Sequence, residues 1–267
     1  MGLFDVHAHL THPRLIQEAD AVIARARARG ITSIITNGLN PSDNEAVRAL
    51  AARVPEVRPA FGLYPVDAVL TEMEAMGCDY ARDCPPFSGE EGVQWVRDHA
   101  SEAFAIGEIG LDGYWVPEAL WERQEELFRS LVEIAIEADK ALIVHTRKRE
   151  RRALEILLEM GAERVVWHCF GGRLKLARAI AERGHWLSIP ANARRNEAFR
   201  RMLETLPRER ILLETDCPYL GPVPKERNEP ANVDHTAAFA AELWGEPPEE
   251  VERILAGNYE AVFGEAP

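Results

Sequence analysis

Residues 3–9 read Leu3-Phe4-Asp5-Val6-His7-Ala8-His9, an apolar run that ends in two histidines. In a β-strand alternate side chains share a face, so Asp5, His7 and His9 would point the same way. Two imidazoles at a strand end can bind a divalent cation, and Asp5 is placed to accept a hydrogen bond from one of the rings. A His-x-His pair alone can equally be two ordinary polar residues, so the later strands decide between these interpretations.

Seven further runs rich in β-branched and aliphatic residues follow, with segments of helical periodicity between them. The predicted strands are Leu3–His7, Thr32–Asn37, Arg58–Leu63, Ala103–Glu108, Ala141–His145, Arg164–His168, His185–Ile189 and Ile211–Thr215. The predicted helices include Pro13–Arg29, Pro41–Arg53, Pro117–Asp139, Glu150–Met160, Arg173–Arg183 and Asn192–Leu206. Eight alternating units predict an α/β fold of the (β/α)₈ TIM-barrel type, with residues 1–267 as a single domain.

The composition is that of a globular protein, with 46% hydrophobic and 28% charged residues in a chain of 267. No run is apolar enough to span a bilayer, no signal peptide is recognisable, and the four cysteines form no Cys-x-x-Cys pair. We therefore expect a cytoplasmic protein with reduced thiols. The formal net charge of −13 argues against a broad basic surface that coats nucleic acid, but not against cations bound locally at a phosphate.

One connection is unusually long. Residues Met73–Arg97, between the third and fourth predicted strands, show no clear periodicity. Loops of this length are commonly functional or disordered. In a barrel this loop would emerge on the face of the strand C-termini, where it would either border a substrate cleft or form a surface elaboration.

Several later strands also end in potential metal ligands. The fourth predicted strand ends in Glu108, the fifth in His145 and the sixth in His168, and the eighth ends in the run Glu214-Thr215-Asp216. Each histidine alone could be a core residue, but all strand C-termini of a barrel meet on one face. Four imidazoles and several carboxylates there are enough to bind two divalent cations.

A two-metal centre assigns a role to each of these groups. Glu108 has two carboxylate oxygens and can bridge the ions. The other candidate ligands divide between the two sides, with His7, His9 and Asp216 on one and His145 and His168 on the other. Asp216 is the candidate general base for a water held between the ions. Glu214 shares the inward face, where it would steer a ligand or serve a structural role.

Six blocks of the sequence resemble the signature segments of the TatD family of metal-dependent deoxyribonucleases, within the amidohydrolase-type barrels. They are Asp5–His9, Ala105–Asp112, Ile143–Arg147, His168–Gly172, Leu212–Leu220 and Arg227–Pro230. The resemblance implies one to three divalent cations and hydrolysis of phosphodiester bonds, typically from a DNA 3′ end. Matching the blocks places the family's metal ligands on His7, His9, Glu108, His145, His168 and Asp216.

We therefore predict a deoxyribonuclease with two divalent cations, Mg²⁺ or Mn²⁺, with Zn²⁺ as a third candidate. Its substrate would be DNA, single-stranded 3′ ends above all, and no membrane and no obligate protein partner is inferred. Tyr64 stands where the family usually has a histidine near the substrate phosphate, and it can donate a hydrogen bond but carries no imidazolium charge. Arg147 is the second candidate for binding substrate, as a bidentate phosphate clamp, while the cations of residues 148–152 are interpreted as a solvated helix face.

The main alternative is a two-metal amidohydrolase or lactonase that acts on a small-molecule amide, ester or lactone with the same activated water. Tyr64, the long loop and the acidic charge favour this alternative. Glu108 favours the nuclease, because many two-metal amidohydrolases bridge their ions with a modified lysine. A single-metal deaminase would leave Glu108 without a bridging role, and a non-catalytic scaffold would be expected to have lost ligands.

Overall fold

Eight parallel strands form one sheet in which each strand pairs with the next along the chain. The structure is a computed structural model that describes residues 2–80 and 82–266. The strands are β1 (Leu3–Ala8), β2 (Ile31–Asn37), β3 (Val57–Phe61), β4 (Ala105–Asp112), β5 (Ala141–Arg147), β6 (Val165–Trp167), β7 (Trp186–Ile189) and β8 (Ile211–Leu213). The first strand also meets the segment after the last, because Ala8 bridges Cys217. The predicted TIM barrel is confirmed.

Helices cover the outside of this sheet. Within the described residues they are α1 (Ala19–Ala28), α2 (Pro41–Arg53), α3 (Leu70–Ala75), α4 (Gly89–His99), α5 (Trp121–Glu137), α6 (Glu150–Glu159), α7 (Leu174–Glu182), α8 (Glu197–Thr205), α9 (Val233–Trp244) and α10 (Pro248–Phe263). None of them combines the length and the hydrophobicity that a membrane crossing requires. The start of α2 follows its local signals, since Asn40 accepts a hydrogen bond from the N–H of Asp43 at 3.1 Å and Pro41 occupies the first turn.

The prediction of an unstructured loop over Met73–Arg97 is wrong in part. Its first residues belong to α3, and its last residues belong to α4. A reciprocal capping box begins α4: Ser88 accepts a hydrogen bond from the N–H of Glu91, and the Glu91 carboxylate accepts one from the N–H of Ser88. Residue 81, within the same loop, and residues 1 and 267 of the predicted domain lie outside the described residues.

The prediction that Glu108 ends its strand is also wrong. Pairing between β4 and β5 continues through Asp112 and Arg147, four residues beyond Glu108, with a register shift between Ile106 and Ile109. The alternation of Glu108 with apolar Ile109 and Leu111 allows the strand to continue. Both strands therefore rise further at the C-terminal face than the sequence pattern indicates, and they bring Asp112 beside His145.

A buried histidine immediately before β7 makes the fold sensitive to acid. His185 accepts a hydrogen bond from the indole N–H of Trp167 at 3.1 Å, and its other ring nitrogen lies 3.0 Å from the carbonyl oxygen of Ala162. Both contacts suit a neutral ring, and burial lowers the pKa of His185 from 6.5 to about 4. A lowered folded-state pKa stabilises the protein above pH 6.5, and this stabilisation is lost as the pH falls toward 4.

We expect protonation of this histidine to lower the free energy of unfolding by roughly 3 kcal/mol between neutral pH and about pH 4. Replacing His185 by Gln should lower stability at neutral pH and flatten the pH dependence between these limits. Urea unfolding of both proteins across this range, in the presence of a chelator, measures the difference. Parallel curves for the two proteins would contradict the prediction.

Candidate metal centre

The six side chains predicted as metal ligands lie together at the C-terminal end of the barrel. They come from the end of β1, from β4 and β5, and from the residues after β6 and β8: His7, His9, Glu108, His145, His168 and Asp216. They are separated by up to 209 positions in the sequence. The barrel brings them together because its strands place their C-terminal ends on one face.

One group of ligand atoms consists of His7, His9, Asp216 and one oxygen of Glu108. The Nε2 atoms of the two histidines are 3.1 Å apart, and Glu108 Oε2 is 3.5 Å from each. Asp216 Oδ1 lies 3.7 Å from His7 Nε2 and 3.5 Å from His9 Nε2. Four ligands arranged tetrahedrally at about 2.1 Å from a cation are about 3.4 Å apart, so this group fits one divalent cation.

The second group consists of His145, His168 and the other oxygen of Glu108. Glu108 Oε1 lies 3.0 Å from His145 Nδ1 and 3.2 Å from His168 Nε2. The two ring nitrogens are 3.3 Å apart. The carboxylate of Glu108 therefore presents one oxygen to each group, which is the geometry that a bridging ligand between two ions requires.

The charge states of three of the buried donors suit a cation. Burial opposes ionisation of Glu108 and Asp216, but His168 beside the first and His9 beside the second outweigh it and hold the pKa of both carboxyls below the usual range. Burial and the neighbouring His168 lower the pKa of His7 to about 3, so that its ring is neutral. Ionised carboxylates and neutral imidazoles are the forms that bind metal ions.

The surroundings of the other three imidazoles favour their protonated forms. Burial opposes protonation of each ring, but the hydrogen bond of His9 to Asp216, that of His145 to Asp112 and the charge of Glu108 beside His168 raise the pKa of these histidines. Positive charge in this cluster thus offsets the carboxylates. A divalent cation would supply the same compensation and displace those protons.

Asp112 is a site residue that the sequence analysis did not single out. Its Oδ2 lies 3.2 Å from His145 Nε2, and its Oδ1 accepts hydrogen bonds from the backbone N–H groups of Tyr114 and Trp115 at 2.7 and 2.8 Å. It therefore orients the ring of His145 and fixes the turn after β4. A signal existed, since Asp112 follows Glu108 by four residues and so shares its face of the strand.

The prediction that Asp5 orients a histidine ring is wrong. Its carboxylate accepts hydrogen bonds from the backbone N–H groups of His7 at 3.2 Å and Thr215 at 2.9 Å, and from the hydroxyl of Thr215. The reason is the closure of the barrel, which places the donors of Thr215 against β1. The ring of His9 is positioned instead by the carbonyl oxygen of Asn37, 3.1 Å from its Nδ1.

Glu214 lies behind His168 rather than among the ligand atoms of the two groups. Its carboxylate accepts hydrogen bonds from the N–H of Cys169 at 2.9 Å and from the hydroxyl of Ser188. Its Oε1 is 3.7 Å from Nδ1 of His168, a ring nitrogen that has no hydrogen bond in the described part of the chain. Glu214 thus supports the position of His168 electrostatically.

Tyr64 lies beside the second group of ligands. Its ring is edge-on to His145, with centroids 5.1 Å apart. The guanidinium of Arg82, which pairs with Asp67 at 2.8 Å, lies 5.3 Å from the centroid of the Tyr64 ring. Burial and the negative charge of Glu108 raise the pKa of the phenol, so its hydroxyl remains a donor.

Arg147 lies further out, at the end of β5. Its side chain is exposed, and its guanidinium lies 3.7 Å from the centroid of the Tyr114 ring. The two predicted substrate-binding residues therefore occupy different places, Tyr64 next to the metal ligands and Arg147 on the rim.

Comparison with known proteins relates this site to a family. Residues 4–264 match the family described as TatD related DNase. A Bacillus subtilis (strain 168) protein named uncharacterized metal-dependent hydrolase YabD is 30% identical over 269 residues, which covers 98% of both chains. A Citrobacter rodentium protein named 3′-5′ ssDNA/RNA exonuclease TatD is 31% identical, also over 98% of both chains. The crystal structure of YJJV, a TatD homologue from Escherichia coli K12, shares the fold with a TM-score of 0.83 at 24% identity, again over 98% of both chains.

Proposed function

The chain belongs to the TatD related DNase family, and from this premise we propose that it hydrolyses phosphodiester bonds at the 3′ ends of DNA. The observation that carries the proposal is the carboxylate of Glu108, with one oxygen in each of two groups of metal ligands. The name of the Citrobacter rodentium relative supports the direction of cleavage and the single-stranded substrate. The cofactor would be two divalent cations, Mg²⁺ or Mn²⁺, with Zn²⁺ as a third candidate.

The residues would divide the work as follows. One cation would be held by His7, His9, Glu108 and Asp216, and the other by His145, His168 and Glu108. When bound, the cations would lower the pKa of the attacking water and neutralise charge on the phosphate. The ionised carboxylate of Asp216 accepts the proton of that water. Tyr64 donates a hydrogen bond to a phosphate oxygen, and Arg147 binds a phosphate further along the strand.

The test is release of nucleotides from a 3′-labelled single-stranded DNA by protein that has been stripped of metal with a chelator. Mg²⁺ or Mn²⁺ is added back, and a 5′-labelled strand is run in parallel to determine the direction. We expect metal-dependent loss of the 3′ label. A protein shown to bind two ions that cleaves neither strand with any metal would overturn the proposal.

The small-molecule alternative stays open on one observation. Tyr64 provides a neutral hydroxyl beside His145 where a phosphate-binding cation would be expected. A neutral amide, ester or lactone would suit that donor as well as a phosphate does. Hydrolysis of such a substrate by the same metal-restored protein, together with an inactive DNA assay, would favour the alternative.

A further inference from the structure

A basic groove lies between the N-terminal parts of α6 and α7, on the same face of the barrel as the candidate metal centre. It has a volume of about 1110 Å³, and we call it the α6–α7 groove. Six cationic side chains and two carboxylates line it: Lys148, Arg149, Arg151, Arg152, Arg173 and Lys175 against Glu150 and Glu155. The groove thus carries an excess of positive charge in a chain whose formal net charge is −13. Such a local reversal of sign marks a surface for an anionic ligand.

Four of these cations have no carboxylate partner among the described residues. All four are exposed: Lys148, Arg151, Arg173 and Lys175. Neither carboxylate of the groove forms an ion pair with them: Glu150 accepts from the backbone N–H of Lys148, and Glu155 pairs with Arg152. These four side chains are therefore available to an external anion.

The remaining two cations have a structural role. Arg149 and Arg152 both pair with Glu125 on α5. Arg149 is also buried, and its guanidinium lies 4.2 Å from the centroid of the Trp121 ring, so the prediction of a solvated helix face is wrong for this residue. Arg149 and Arg152 therefore stabilise one wall of the groove. The four unpaired cations remain to bind an anion.

The groove is connected to the metal centre through two loops and a pair of exposed aromatic rings. Its lining begins three residues after His145 and three residues after His168. The groove residue Lys148 places its ammonium nitrogen 5.4 Å from the centroid of the Tyr114 ring. Tyr114 and its neighbour Trp115 are 49% and 44% exposed, and the guanidinium of Arg147 covers one face of the Tyr114 ring. The hydrogen bonds from their backbone N–H groups to Asp112 tie this pair to the ring of His145.

We propose that the α6–α7 groove binds the sugar-phosphate backbone of a single-stranded nucleic acid whose end lies at the metal centre, while Tyr114 and Trp115 stack on its bases. The proposal rests on the proposed function. Sites for single strands combine a cationic groove that follows the backbone with aromatic side chains that stack on bases, and both are present here. The groove thus determines a preference for polymers over short substrates.

The test compares two charge-reversal variants of the full chain. The first carries Arg151→Glu and Lys175→Glu in the groove. The matched control carries Lys140→Glu and Arg183→Glu, which follow α5 and α7 on the opposite face of the barrel and also lack a carboxylate partner in the described ranges. The substrates are an oligothymidylate of about twelve nucleotides, within the usual span of a single-strand site, and dithymidylate.

We expect the groove variant to raise KM for the oligothymidylate about tenfold or more, and to leave kcat and the KM for dithymidylate near those of the wild type. The dependence of log KM on log salt should also become shallower, by about 0.7 for each cation removed. The control should resemble the wild type. Circular dichroism checks the fold of each variant, and Arg151→Gln with Lys175→Gln replaces the reversal if it does not fold.

Equal changes for the long and the short substrate, or the same change in the control, would overturn the proposal. If the metal-restored wild type cleaves neither substrate, the proposed function has failed and the groove is judged by binding. Fluorescence anisotropy of the labelled oligothymidylate with chelator-treated protein then decides. Binding that is lost only in the groove variant supports the groove, whereas no binding by the wild type excludes it.

Discussion

Replacement of Glu108 by Ala is expected to lower turnover about 10³-fold or more, because a carboxylate shared by two cations contributes several kcal/mol to the stabilisation of the transition state. The substitution removes one ligand atom from each of the two groups at once. Metal content should fall as well. Activity measured with saturating Mn²⁺, and metal analysis after dialysis, give the two results independently.

The matched pair Glu108→Gln and Glu214→Gln separates bridging from general effects of lost charge. Both are buried glutamates at the same end of the barrel, and Gln at 214 can keep the contacts with Cys169 and Ser188. We expect Glu108→Gln to bind fewer ions, because an amide offers only one oxygen. Glu214→Gln should bind as many as the wild type. Unchanged activity and metal content in Glu108→Ala would rule out the bridging role.

The second large effect is expected for Asp216→Asn, with kcat lower by about 10² to 10⁴. The amide is nearly isosteric and can still contact the histidines through its oxygen, but it cannot accept the proton of the attacking water. The acidic limb of the pH dependence of kcat should therefore disappear with the general base. Steady-state rates across a pH series, at saturating metal and substrate, test both points.

The control for this variant is Asp5→Asn, the same change at another buried aspartate near the centre. Asn at position 5 can still accept from the two backbone N–H groups that Asp5 contacts, and its amide can donate to the hydroxyl of Thr215. Its kcat should stay within about tenfold of the wild type, as for a residue outside the ligand set. An Asp216→Asn protein with the same kcat and the same pH profile as this control would exclude Asp216 as the base.

The sequence predicts the main features of this molecule because its strongest signals are local. Eight alternating units predict the barrel, and the barrel alone predicts that histidines and carboxylates at distant strand ends converge. The prediction that Glu108 bridges two groups of ligands needs only the fact that a carboxylate has two oxygens. Each of these predictions rests on one residue type, one period and one topological rule.

The errors concern contacts that depend on packing between elements. The extension of β4 depends on its pairing with β5, so Asp112 was not recognised as the partner of His145. The role of Asp5 depends on Thr215, 210 positions away, across the closure of the barrel. The capping box of α4, by contrast, is a local signal that depends only on Ser88 and Glu91.

The order of the ligands along the chain has a consequence during protein synthesis. His7 and His9 leave the ribosome early. Asp216 and the neighbouring residues after β8, which contact β1, are among the last parts of the barrel to be added. A nascent chain therefore holds an incomplete donor set until translation has passed the eighth strand. Closure of the barrel and completion of the first group of ligands therefore depend on the same late segment, residues 215–217.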